Sequence, residues 1–104
     1  MKQIAEETIF GRRQAGERFD VHIEVGVPYQ WGDDPNEWAC PVSMRPLHSE
    51  LRDIHGGSSL QALCLALSLA KSLLEGFLQS GGQLTYETGE NFAIDAVFGT
   101  TKVR

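Results

Sequence analysis

Cysteine is scarce in this chain. Cys40 and Cys64 are the two in 104 residues, and they form no C-x-x-C pair. That count excludes the multi-disulfide framework on which small secreted scaffolds depend. Both read as reduced, buried, small apolar residues. Histidine is nearly as sparse. His22, His48 and His55 show no ligand spacing with each other or with the cysteines, so neither a metal site nor a cofactor is expected. Basic charge is short too: nine Lys and Arg stand against fourteen Asp and Glu, for a net charge of −5. With no basic run beyond Arg12-Arg13, nucleic acid and anionic membrane surfaces are poor partners. The first ten residues, MKQIAEETIF, hold two glutamates and no apolar run of signal-peptide length, and a cytoplasmic location is expected.

What the chain has is one long apolar stretch. Residues 58–80, SSLQALCLALSLAKSLLEGFLQS, lie between two glycine pairs. Leu60, Leu63, Cys64, Leu67, Ala70, Leu74, Phe77 and Leu78 recur with helical spacing. Ser58 suits the N-cap, Gln61 completes capping-box spacing, and Gly81 can close the helix in a left-handed conformation. The least polar part, Leu60 to Leu74, is shorter than the ~20 residues a bilayer needs and contains Lys71, so a core helix is predicted and not a membrane span. A second apolar set, Ala62, Ala66, Leu69 and Leu73, calls for further cover. Phe92, Ile94 and Phe98 can meet part of that need if the tail folds back, and a two-fold homodimer through that face is the favoured solution.

The remaining pattern is that of strands. Residues 3–12 read as a first strand of mixed pattern. Residues 18–27 alternate strictly, with Phe19, Val21, Ile23, Val25 and Val27 on one face, so one face is packed and the other wet. Residues 37–45 form a third strand with Trp38, Cys40, Val42 and Met44 on one side. Pro41 interrupts its hydrogen-bonding potential and marks an edge, a bulge or an outward-facing N–H position. Residues 51–55 read as a short fourth strand. After the helix, 84–87 and 92–98 form either a hairpin or an irregular tail. The whole is one α+β domain over 1–104: a two-layer fold with a four-stranded antiparallel meander, one long helix and a short tail.

At Trp38-x-Cys40-Pro41, followed by Gly57-x-Ser59-x-Gln61-Ala62-Leu63-x-Leu65-Ala66-Leu67, the chain resembles a family of small bacterial proteins known only as a domain of unknown function. The resemblance runs from about Gly11 to the tail. Ser59 stands where many members have aspartate, and both residue types suit a helix start. The resemblance implies the same strands-then-helix order and no activity, cofactor or catalytic residue.

Two places carry candidate chemistry. The loop Tyr29 to Trp38 holds two tryptophans, a tyrosine and acidic residues. Trp31, Asp33 and Asp34 are its candidate binding residues, since aromatics anchor interfaces and carboxylates steer toward a basic protein partner. The second place is the corner at the helix start, where His55, Ser58 and Ser59 adjoin free helical N–H groups, with Asp53 in reach of the imidazole. No residue is assigned a catalytic role. The expected function is that of a non-enzymatic protein-interaction module, of accessory or immunity type. The alternative is a small ligand-binding domain or hydrolase using the His55–Ser59 corner. The identity of a partner or substrate cannot be read from the residues.

Overall fold

The structure, a computed structural model, describes residues 1–99. Its strands are β1 (Gln3–Arg12), β2 (Arg18–Gly26), β3 (Tyr29–Gln30), β4 (Trp38–Cys40), β5 (Val42–Arg45), β6 (Ile54–Gly56) and β7 (Gln83–Thr85). The helices are α1 (Ser59–Gln79) and the short α2 (Ile94–Phe98). The protein is thus α+β, with antiparallel strands preceding one long helix. Its strands form two sheets: a four-stranded one in the order β5-β2-β1-β7 and a three-stranded one in the order β3-β4-β6.

The division happens at Pro41. Residues 37–45 keep the predicted alternation, with Cys40, Val42 and Met44 all buried. The ladder does not continue, however, because proline has no N–H to donate. β4 pairs with β3 and β6, and β5 pairs with β2. At the crossing point the Pro41 carbonyl accepts from the Gly26 N–H at 2.9 Å. The predicted fourth strand therefore belongs to the smaller sheet as β6. The fourth strand of the larger sheet comes from the tail: β7 pairs antiparallel with Phe10–Arg12 of β1.

The larger sheet packs one face inward. Ile9 lies opposite Val21, Ile23 opposite Met44, and Val25 opposite Val42; all six are at most 5 % exposed. Each such side chain contributes about 2 kcal/mol on burial.

α1 covers this face with part of the predicted stripe, Ala70 and Leu74, and with Ala62 and Ala66 of the second set. Its fully buried line is Ala62, Ala66, Ala70 and Leu74, while Leu60 is 69 % exposed and Cys64 points outward. The reason is proximity. A methyl at Gly56 of β6 would sit 2.7 Å from the Ala62 nitrogen, so only the small side of the helix can face strands that near. Leu63, Leu67, Leu69, Leu73 and Phe77 flank the alanines and pack half-buried around the core. Of the face expected to seek a partner subunit, Ala62 and Ala66 are buried within the chain and Leu69 and Leu73 are half-buried, and the reading of Cys64 as buried is corrected. By length and composition alone α1 could cross a bilayer.

Both helix ends follow their residues. Ser58 Oγ accepts from the Gln61 N–H at 3.0 Å, and Gln61 Oε1 accepts from the Gly57 N–H at 2.6 Å. At the other end Gly82 N–H donates to the Phe77 carbonyl and Gly81 N–H to Leu78, with Gly81 at φ +96°. That closure turns the chain directly into β7. Beyond β7 the chain bends back through Phe92, which is buried, and α2 lies against α1 with Lys71 Nζ 3.3 Å from Asp95 Oδ1.

Candidate functional site

The smaller sheet brings the two sequence-predicted places together. In its register Tyr29 lies opposite Ala39, and Ala39 opposite His55. Directly paired residues share a face, so Tyr29, Ala39 and His55 form one row across β3, β4 and β6. Trp38 and Gly56 form the adjoining row, and the Gly56 backbone meets α1. The row of Tyr29 and His55 is therefore the outer one.

Trp31 follows β3 and lies over this row. Its ring centroid is 5.3 Å from that of His55 in an edge-on arrangement and 6.4 Å from that of Tyr29. It remains 51 % exposed, an unusual state for so large an apolar side chain. The other tryptophan behaves differently. Trp38 packs against the core and donates from Nε1 to the Pro35 carbonyl at 3.2 Å.

Carboxylates frame the aromatic row. Glu37 Oε1 is 2.8 Å from His55 Nδ1. The Tyr29 hydroxyl donates to Asp53 Oδ2 at 2.5 Å, and that hydrogen bond to a carboxylate, with some burial, raises the tyrosine's pKa above its ordinary value. Asp33 and Asp34 are exposed in the loop between β3 and β4. Asp34 also builds the loop, because its Oδ1 accepts from the Asn36 N–H at 2.8 Å.

Of the six predicted site residues, Trp31 and His55 are in contact, and Asp33 and Asp34 lie in the loop that carries Trp31. Ser58 and Ser59 sit beyond Gly56-Gly57 at the helix start. The Ser58 hydroxyl is engaged as the N-cap, and Asp53 is paired with Tyr29 rather than with His55. The imidazole's carboxylate partner is Glu37, which sequence reading left unassigned: residues 18 positions apart give no signal of a contact until the β4–β6 register is known. Cys40 is fully buried, and burial raises its thiol pKa, so it is held as the unreactive thiol. Among the described residues no three His, Cys, Asp or Glu side chains gather as a metal site would require.

No curated protein and no solved structure matches this chain. A family model does, over residues 7–96, a span that begins in β1, contains the whole Trp31–His55 face and ends within α2. The chain accordingly belongs to the DUF6968 family, a domain of unknown function.

Proposed function

We propose that this protein is a non-enzymatic interaction module that recognises a basic protein partner through the Trp31–His55 face. The observation that carries the reading is the exposed Trp31 ring, held edge-on to His55 and bordered by Glu37, Asp33 and Asp34. A rigid aromatic anchor surrounded by polar groups is how interface hot spots are built, and a carboxylate rim steers cations toward it. The hydrolase alternative would need a serine hydroxyl against the imidazole, whereas the polar partner of His55 Nδ1 is Glu37, and Ser58 Oγ accepts from the Gln61 N–H as the helix cap.

Site-specific photo-crosslinking tests this in cells that express the protein. A photoreactive side chain at position 31 should capture a discrete basic protein, and the same group at exposed Thr88, in the turn after β7, should not. Equal capture from both positions, or none from position 31, overturns the proposal.

A further inference from the structure

The larger sheet has an open edge on the side away from β2. β7 covers β1 only at Phe10, Gly11 and Arg12. Among the described residues no strand pairs with Gln3–Ile9 on that side, so its outward backbone N–H and C=O groups form a template for another strand. The same stretch borders an apolar groove of about 250 Å³. Besides residues 5–7 of β1, it is lined by Ile23 and Val25 of β2, Leu67 of α1, and Phe92 and Phe98 of the tail.

Two carboxylates mark this edge. The register places Ala5, Glu7 and Ile9 on the groove side of β1 and Glu6 on the opposite face. Glu6 lies directly across from Glu24. Glu24 is answered by Gln3 at 2.6 Å and Arg45 at 3.3 Å, whereas neither Glu6 nor Glu7 has a cationic partner among the described residues. Facing like charges weaken a sheet, and a cation brought by an incoming strand would relieve them.

We infer that the β1 edge at Gln3–Ile9 binds an extended segment of another protein, one carrying adjacent Lys or Arg residues flanked by apolar ones. Its backbone extends the sheet. One cation meets Glu6 on the outer face, its neighbour meets Glu7 on the groove side, and an apolar side chain two positions on enters the groove beside Ala5. A second copy of this chain is the wrong occupant. The fully overlapped antiparallel register of two free edges sets Glu6 against Glu6 of the other copy, and registers shifted to bring in Lys2, the one basic side chain in residues 1–9, answer Glu6 or Glu7 but not both. The register that would match them with Arg13 and Arg12 is blocked, because β7 already holds Phe10–Arg12. The inference concerns a different surface from Trp31 and stands independently of it.

The probe is a fluorescein-labelled hexapeptide with two central arginines, a valine on each side of them and a threonine at each end, read by polarisation against the full chain. Binding is expected, with hydrogen-exchange protection appearing at Gln3–Ile9. Glu6→Lys with Glu7→Lys should weaken it by about fivefold or more, and that variant should prefer the peptide with two glutamates in place of the arginines. A copy of the peptide N-methylated along its backbone should not bind. No binding, binding that survives N-methylation, or protection elsewhere overturns the inference. So does a concentration-dependent dimer protected along Gln3–Ile9, which would make a second copy the occupant. Lys102→Glu with Arg104→Glu should leave peptide affinity unchanged; a gain would assign the edge to the chain's own end and equally overturn it.

Discussion

Two glycine-to-alanine substitutions, one in β6 and one in α1, are predicted to act in opposite directions. Gly56 of β6 faces the first turn of α1. A methyl there would lie 2.7 Å from the Ala62 nitrogen and 3.0 Å from its Cα. These are backbone atoms, which cannot swing aside, so strand and helix must separate. Overpacking of this kind costs about 1–3 kcal/mol. Gly76 is a helix-interior glycine, and a methyl added to it would meet nothing within 4 Å. Alanine there gains about 1 kcal/mol from helix propensity alone. For a domain near this size each kcal/mol moves Tm by roughly 4–8 °C. Gly56→Ala should therefore lower Tm by at least about 4 °C and Gly76→Ala should raise it by a similar amount. Thermal unfolding followed by circular dichroism at the helix band reads both. A Gly56→Ala protein as stable as the wild type would refute the close approach, and with it the explanation of why alanines rather than leucines face the strands.

Three further outcomes follow from the packing. Leu69→Glu should destabilise the single chain by about 1–3 kcal/mol, because Leu69 packs half-buried on the core; unchanged chemical denaturation would mean the residue is free. Native labelling with a small maleimide should modify Cys64, which is exposed, rapidly and Cys40, which is buried, only after unfolding; mass spectrometry of a single early adduct distinguishes the sites. The Glu24 carboxyl is held below its ordinary value chiefly by the Gln3 hydrogen bond, which outweighs the opposing effect of burial, with further lowering by Arg45 and His22. A depressed folded-state pKa gives stability that is present above the unfolded value, near 4.5, and lost as pH falls through the folded one. The Tm difference between wild type and Glu24→Gln should accordingly be present at neutral pH and vanish in acid; a difference that persists in acid contradicts the pairing.

Local pattern carried most of the fold. Alternation in 18–27 placed Val21, Ile23 and Val25 inward because a period of two admits only two registers. The serine, glutamine and glycine at the ends of α1 placed its caps to within a residue. What failed was the helix face in the first half of α1, where Ala62 and Ala66 are buried in place of Leu60 and Leu63, while Ala70 and Leu74 of the predicted stripe are buried as expected. Leucines outnumber alanines on α1, so hydrophobicity alone turns the leucines inward; the approach of Gly56, a partner fixed by tertiary structure, turns the alanines inward instead. The switch between sheets at Pro41 was visible only as an interruption, since proline says that a ladder ends and not where the chain goes next. At the candidate site Trp31 and His55 were each legible as residue types, but their contact was not, because it depends on the pairing of three short strands. Glu6 and Glu7 read in the sequence only as charges unlike a signal peptide, and the open edge beside them is visible only from the short reach of β7.

The division of labour between the two tryptophans tests the functional account most directly. Trp38→Ala removes a core-packed ring and its hydrogen bond to Pro35 and should cost about 3 kcal/mol. Trp31→Ala removes a ring that is half exposed and should cost less than about 1 kcal/mol. Chemical denaturation of both variants, run beside recovery of the basic partner crosslinked from position 33, measures each role separately. The account predicts that Trp31→Ala keeps near-native stability and loses the partner. A Trp31→Ala protein that retains the partner, or that unfolds as readily as Trp38→Ala, would contradict it.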